Sequence, residues 1–572
     1  MTYTEIKEKG SKKYSYRVKS IRKGKKVDKQ RIYLGVNLKK QELKQKEQDA
    51  DKKLLNLKPK EPEKPITAKK TEMNRSPIVK SSIDITKISE NKEKNIGITA
   101  EKDEFSEWFT QIMLKADLAD YTDVSGCIVF KPTAYAIWDK IKEETDKRFK
   151  KLGIKNCYFP LLIPEKLLNK EKEHVKGFSP EVAWVTEAGD TKLNERLAVR
   201  PTSETIMYPS YSKWIRSYKD LPLKLNQWNN VVRWEFKHPV PFLRTREFLW
   251  NEGHTVYATK EEAEKEKDEI MNIYKEICEE YLALPSLVGR KSEKEKFAGA
   301  EYTISMEFYM PNGKAIQGPD FHHDGQKFAK AYNIKFLDEN SKEQYAWQNT
   351  FAITTRVLGI MFAVHSDKKG LILPPKIAPN QIVIVPILFE NDKKEVLKQA
   401  EEIKSSLVQF NPILDTREEY RPGFKFNEYE LKGIPIRIEI GSRDLAKKSV
   451  IIARRDTGEK KEIKISDLEA EIPKILEDIQ KSLLEKAKKL LKDNLIEVNS
   501  LEQTQSAIKD KKIALAPLCS SRQCEDDLKF KTDGAKVLNI PEHQPQPKNK
   551  NSMKCIICNK QADYIARIGK SY

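Results

Sequence analysis

No apolar run in this 572-residue chain approaches the roughly 20 residues of a bilayer span. The opening MTYTEIKEKGSKKYSYRVKS also lacks the apolar stretch of a signal peptide. A cytoplasmic protein with no membrane partner is therefore expected. There is no GxxxxGK[ST] loop, and no GxGxxG turn follows a strand, so neither a P-loop nor a Rossmann turn holds any nucleotide. Arginines must do that work. Internal repeats are missing too. Cysteine is scarce, with only Cys127, Cys157 and Cys278 in the first 518 residues.

The chain does have charge. Lys and Arg number 106 against 86 Asp and Glu, a net +20 with pI near 9.2. Half of that excess lies in residues 1–50, where 16 basic residues face 6 acidic ones. Such a balance favours a polyanionic partner, nucleic acid above all. Four more cysteines crowd the last 54 residues as Cys519-x4-Cys524 and Cys555-x2-Cys558. In a reducing compartment such pincers suit metal better than disulfides. Four thiolates fill a tetrahedral zinc and leave no open position, so the Zn2+ is expected to be structural.

The length demands three or more domains. Residues 1–57 are expected to form a basic N-terminal appendage. It has two short strands, Tyr14–Val18 and Arg31–Leu34, around a turn at Gly24, then a polar helix of about 38–57. Residues 58–95, rich in Pro, Lys and Ser, read as a linker. The main domain is expected over 96–375. Its helix is bracketed by Pro132 and Gly153, with Ala134, Ile137, Trp138, Ile141, Phe149 and Leu152 as the apolar stripe. The stretch Cys157–Pro164 reads as a strand that Pro160 confines to an edge or an interface. Strands dominate 181–256, a helix of about 260–283 follows, and further strands reach 373. This irregular mixture argues α+β with an antiparallel sheet. A small α/β domain is expected over 376–480, with helices near 394–409 and 466–492, and a zinc-binding domain over 481–572.

Residues 229–255, NNVVRWEFKHPVPFLRTREFLWNEGHT, are the most informative. Two strand-like runs flank a basic loop. Alternation puts Arg233 beside Glu235 on one strand and Trp250, Glu252 and His254 in a row on the other. A hairpin would merge them into a polar patch with an aromatic wall, overhung by Arg244 and Arg246. That is an anion site next to a small amine pocket.

The helix with the Pro160 strand, the Arg233–Glu235 strand with its loop, and Thr354-Thr-Arg356 before a helix resemble motifs 1, 2 and 3 of class II aminoacyl-tRNA synthetases. The runs Arg200–Thr205 (RPTSET), Phe242–Trp250 (FLRTREFLW), Lys294–Gly299 (KEKFAG) and the terminal KSY are similar to those of the archaeal and eukaryotic prolyl-tRNA synthetases. The resemblance covers about 96–572 and leaves the first 95 residues outside.

That resemblance implies an enzyme that joins L-proline to tRNA(Pro) through a prolyl-adenylate, using ATP with Mg2+, as a homodimer. Arg233, Arg244 and Arg356 would be catalytic, neutralising phosphate charge. Glu235 would read the adenine, Phe248 would stack on it, and Gln317, Asp320 and Thr354 would line the ATP site. Thr202 and Glu204 would take the proline ammonium; Trp250, Phe297, Glu252 and His322 would form its box. In the 376–480 domain, Arg421, Lys425, Arg437 and Arg443 would grip the anticodon stem-loop, and Tyr572 would approach the active site. No large editing insertion fits between 256 and 350, so mischarged alanine would be cleared by another protein. Two stretches depart from the family pattern: Pro319-Asp320-Phe321, where Gly-Thr-Ser is usual, and Phe351-Ala352, where Trp-Gly is usual. They feed the alternative of a catalytically idle paralogue that binds tRNA. A zinc-dependent nucleic-acid-binding protein without activity would leave Arg200–Glu204 and Trp250–His254 unexplained.

Overall fold

The computed structural model describes residues 2–9, 12–23, 26–36, 40–55, 97–174, 181–235, 238–544 and 553–572. They belong to two units, Met1–Ile85 and Thr86–Tyr572. In the first, strands β1 (Thr2–Lys9), β2 (Lys12–Lys23) and β3 (Lys26–Val36) form an antiparallel sheet in that order, followed by helix α1 (Lys40–Leu55). Arg17 on the central strand grips Asp51 of α1 through two hydrogen bonds of 2.9 and 2.7 Å. The sequence reading missed β1, because TYTEIKEK has too few apolar residues to signal a strand. The turn at Gly24 and the 58–95 linker lie outside the described residues.

The second unit is built on a seven-stranded sheet. Its principal elements are α2 (Pro132–Lys151), β4 (Lys155–Asn156), α3 (Glu204–Trp214), β5 (Leu223–Val232), β6 (Glu247–Tyr257), α4 (Lys260–Glu276), β7 (Leu287–Arg290), β8 (Tyr302–Tyr309), β9 (Ala315–Gly325), β10 (Trp347–Ala352) and α5 (Arg356–His365). The strand order is β7-β8-β9-β10-β6-β5-β4. All neighbours are antiparallel except β4 and β5. The fold is thus α+β, as its sequence implies.

Helix α2 begins with Pro132 at its first turn and buries Ala134, Ile137, Trp138, Ile141 and Phe149, which confirms the stripe. With α4 and α5 it supplies the core on one side of the sheet, where Phe149, Tyr274 and Phe351 meet. Gly253 on β6 lies directly under Phe351, and a Cβ there would come within 1.9 Å of the ring. Only glycine fits.

One expectation needs correction. Of the stretch Cys157–Pro164 only Leu162–Pro164 is strand, pairing with Thr191–Val199 in a separate three-stranded sheet; the edge strand of the large sheet, Lys155–Asn156, ends just before it. Pro160, unable to donate to a ladder, marks the switch. Within 181–256 the strands are interrupted by α3, into which RPTSET turns at Glu204.

A buried amide organises the centre. Asn251 of β6 donates to Asn226 on β5 (2.9 Å), while its carbonyl accepts from the Tyr274 hydroxyl on α4 (3.0 Å) and from the Ile353 backbone N–H (2.7 Å). Three elements are thereby tied to one side chain.

The 381–475 region carries a five-stranded sheet ordered Ile413–Leu414, Ile382–Ile387, Ile436–Gly441, Ser449–Arg454, Lys460–Lys464. A helix over Pro422–Leu431, opened by Pro422, was not expected there. The 26-residue helix Leu468–Asp493 crosses the expected 480/481 boundary. Leu468, Ile472, Leu476 and Ile479 pack in the core of that domain, and Leu490 and Leu491 pack against the next. The last domain has a four-stranded sheet. Among the described residues no helix is long and apolar enough to cross a membrane.

Asn251→Ala would orphan the Tyr274 hydroxyl and the Ile353 N–H in the core. A loss of roughly 2–4 kcal/mol is expected, visible as a lowered midpoint in thermal or urea unfolding.

Candidate active site

A cavity of about 290 Å³ opens over β6, β9 and β10. Phe248, Trp250, Glu252 and His254, alternate residues of β6, all line it, as the alternation predicts. Asp320 and His322 of β9 face them, with Thr350 and Ala352 of β10 between. Gln317 joins Asp320 because the ladder slips. Glu307 pairs with Gln317 but Ser305 pairs with Asp320, so β9 fits one extra residue in and re-aims the chain. Gln317 Nε2 then donates to Asp320 Oδ2 at 2.7 Å.

One end of the cavity is cationic. Arg356, the first residue of α5, donates through Nε to Leu243 O (2.9 Å) and through Nη1 to Gln317 O (3.0 Å). Arg233 donates to Pro201 O (3.0 Å) and lies over the rings of Trp250 and Phe248, at 5.2 and 5.6 Å. Burial, and then the charge of Arg233, lower the Arg356 pKa to about 10. The guanidinium stays charged at neutral pH but is poorly compensated. Two such groups in one cavity form an anion site. A smaller cavity of about 140 Å³ shares Leu243, Lys291, Gln317 and Arg356 with it and adds Arg244 and Tyr572.

The other end is a compact box. The Phe297 and His322 rings lie 5.0 Å apart, and Thr303 Oγ1 sits 2.8 Å from His322 Nδ1. Trp250 is held by its Nε1–H to Asn229 Oδ1 (2.7 Å). Burial lowers the pKa of His322, and that of His254 to about 4, so both rings are neutral at neutral pH. Against them stand two carboxylates. Glu204 accepts the Thr202 hydroxyl. Glu252 accepts from Gln227 (2.8 Å) and Asn229 (3.3 Å) through Oε2, while its buried Oε1 has no partner. Burial raises the Glu252 pKa. An incompletely satisfied carboxylate beside apolar rings suits a small ammonium ion. The two ends together suit a compact zwitterion lying against a polyphosphate.

The structure brings Thr202, Glu204, Arg233, Phe248, Trp250, Glu252, Phe297, Gln317, Asp320, His322, Thr354 and Arg356 into the one cavity. It does not bring Glu235. Strand β5 ends at Val232, Trp234 turns to bond Glu181, and Glu235 is left exposed and outside the lining. The alternation that paired it with Arg233 lapses with the ladder. Arg246 points elsewhere, to Ser125 O (2.9 Å) and across the Trp234 ring. Arg244 reaches only the smaller cavity. Thr202 and Glu204 do not share a strand face; Ser203 caps α3 and Glu204 opens it. The sequence reading missed Lys291 and Thr303. Lys291 is buried against Glu307 and Leu538 O, and one lysine in so lysine-rich a chain carries no signal.

Two of the four expected anticodon contacts are buried. Lys425 is buried with Asp415 (3.4 Å), and Arg437 is buried with Glu439 and Glu430 (2.9 and 3.2 Å). Their charges are already matched inside the domain. Arg421 and Arg443 are exposed.

The four cysteines converge. Their sulfurs all lie within 4.8 Å of one another, with Cys519 Sγ 3.4 Å from Cys524 Sγ and 3.7 Å from Cys558 Sγ. Tetrahedral zinc with bonds of about 2.3 Å sets its sulfurs about 3.8 Å apart. The donor set fits a thiophilic metal ion.

Residues 184–365 match the family described as tRNA synthetase class II core domain (G, H, P, S and T), and 381–475 match the anticodon binding domain. Residues 501–572 match the prolyl-tRNA synthetase C-terminal family. The chain is 45% identical over 508 residues to a putative proline–tRNA ligase of Saccharomyces cerevisiae, covering 84% of this chain and 74% of the other. The chain belongs to the class II prolyl-tRNA synthetases. A proline–tRNA ligase of Lachnoclostridium phytofermentans is 46% identical over 83% of this synthetase and 98% of its own length. The crystal structure of prolyl-tRNA synthetase from Cryptosporidium parvum complexed with L-proline and AMP superposes with a TM-score of 0.80. It is 42% identical, covering 84% of this synthetase and 98% of that chain.

Glu252→Gln is expected to raise the thermal midpoint of the free synthetase at pH 8. The wild-type carboxylate pays for burial above its raised pKa and loses that penalty as pH falls through it. The gap between variant and wild type should therefore close towards pH 5 in paired melting curves.

Proposed function

We propose that this synthetase attaches L-proline to tRNA(Pro) in two steps within the cavity described. A proline carboxylate oxygen attacks the α-phosphorus of ATP and pyrophosphate leaves, giving prolyl-adenylate. The 3′-hydroxyl of the terminal adenosine of tRNA then attacks the carbonyl carbon, and AMP leaves. The observation that carries the reading is the single cavity with two arginines at one end and a neutral aromatic box with Glu204 and Glu252 at the other.

Arg233, at the cationic end and over the Trp250 ring, bridges the α-phosphate and the proline carboxylate and neutralises the charge that grows between them. Arg356 holds the γ-phosphate and lies against the adenine, with Phe248 on its other face. Arg244 takes outer phosphate from the smaller cavity, and Thr354 and Gln317 line the site. The proline ammonium sits against Glu204, Thr202 and the free oxygen of Glu252, with Trp250, Phe297 and His322 around the ring. No protein base is needed, because the attacking carboxylate is already ionised. Magnesium bound with ATP would screen its phosphates. Asp320 lines the same cavity and accepts a hydrogen bond from Gln317. The unusual Phe321 and Phe351 are cross-strand partners whose rings stack at 6.3 Å in the core. That packing supports a working site over an idle paralogue.

Between 256 and 350 the chain runs through α4 and β7–β10, consistent with the lack of an internal editing domain. Exposed Tyr158, Leu162 and Trp214 around Pro160 support a homodimer, and the cytoplasm is the proposed compartment. Arg421 and Arg443 are the proposed anticodon contacts. The four cysteines would hold one structural zinc.

Wild-type protein should exchange pyrophosphate into ATP when proline is added, and Arg233→Ala should lower that rate by roughly 10³-fold. Near-normal exchange in the variant would refute the assigned role. Native mass spectrometry should find one zinc per chain. Cys555→Ser should lose it and lower the thermal midpoint with little change in the KM for proline.

A further inference from the structure

The N-terminal unit carries its charge on one element and its aromatic residues on one phase of that element. Strands β1, β2 and β3 hold eleven Lys/Arg against three Asp/Glu, whereas α1 holds five against four. On α1, Asp51 is already paired with Arg17, and Glu47 accepts the Thr4 hydroxyl. The basic surplus is therefore a property of the sheet.

Arg17 also settles which face α1 covers. Its register partners are Thr4 on β1 and Ile32 on β3, and its guanidinium donates to Thr4 Oγ1 at 2.9 Å as well as to Asp51. Alternation assigns the flanking register columns to the opposite face. Those columns are Tyr3–Val18–Arg31, Glu5–Tyr16–Tyr33 and Lys7–Tyr14–Val36. They contain every tyrosine of the unit's strands, in three adjacent columns, with Val18 fully buried among them. The Tyr16 and Tyr33 rings lie 5.3 Å apart, and Tyr33 is 54% exposed. Beyond them on the same phase come Lys9–Lys12 and Ser20–Lys29. Glu5 is the one acid among these positions.

We propose that the sheet face turned away from α1 is a nucleic-acid-binding surface, distinct from the anticodon-binding domain, that takes an unpaired RNA segment. Its bases stack on Tyr16 and Tyr33, and the basic surplus of the three strands attracts its phosphates. The aromatic rings select this occupant. A duplex hides the flat faces of its bases, whereas unpaired bases offer theirs to an aromatic platform. An acidic protein would need the lysines but not the rings. The surface would raise the local concentration of RNA near the synthetase without entering the chemistry.

The test uses the full chain and a fluorescent oligouridylate of about twelve nucleotides, titrated between about 50 and 200 mM salt. Tyr33→Ala should weaken binding roughly tenfold, and Tyr33→Phe, which keeps the ring, should restore it. Lys29→Glu combined with Arg31→Glu should reduce the salt slope by about 2. Proline-dependent pyrophosphate exchange should be unchanged in all three, which separates this proposal from the assignment of the active site. Wild-type affinity and slope in Tyr33→Ala and in the charge variant would overturn it. So would a duplex DNA competitor that displaces the oligouridylate more strongly than unlabelled RNA does, because the surface would then be a duplex reader.

Discussion

The side chain of Asn251 stands between the two residues that matter most on its strand, Trp250 and Glu252, and points to the other face of the sheet. From there it holds β5 through Asn226, α4 through Tyr274, and the Ile353 N–H. Ile353 is the joint through which β10 passes into Thr354 and Arg356. One amide thus ties the strand of the aromatic box to the helix that begins at Arg356. Its backbone N–H adds a second bond to Ile353 O at 3.0 Å. A buried amide with its groups matched holds one arrangement, because every shift would strand a donor or acceptor in the core.

On the functional face the balance is reversed. Arg356 and Arg233 repel each other in a desolvated cavity, and Glu252 keeps a buried oxygen without a partner. These groups would be more comfortable in water. Held in place by the satisfied network behind them, they leave a cationic end and an incompletely satisfied carboxylate in one cavity, the arrangement on which the proposed function rests. The box is made specific by shape: Trp250, Phe297 and His322 limit its size, and the neutral state of the histidine avoids a competing cation.

Sequence pattern predicted what rests on short-range periodicity. Trp250, Glu252 and His254 share a face because β6 is a regular strand, and the α2 stripe is buried because α2 is a regular helix. The failures fall where regularity ends. Glu235 was placed by extending an alternation three residues past the end of β5. Gln317 owes its place beside Asp320 to a bulge that no local pattern announces. Lys425 and Arg437 looked like RNA contacts because sequence shows charge but not Asp415 or Glu439 folded against it. The convergence of the four cysteines was legible in their paired spacing, whereas Lys291 leaves none.

The central claim is that one cavity orients proline by Glu252 and the α-phosphate by Arg233. The most direct measurement is a crystal structure of the protein with a non-hydrolysable prolyl-adenylate analogue. The account predicts the pyrrolidine nitrogen within hydrogen-bond reach of Glu252 Oε1 and the phosphate surrogate against the Arg233 guanidinium. An analogue bound with its ring outside the Trp250–Phe297–His322 box, or with its phosphate surrogate away from Arg233, would contradict it.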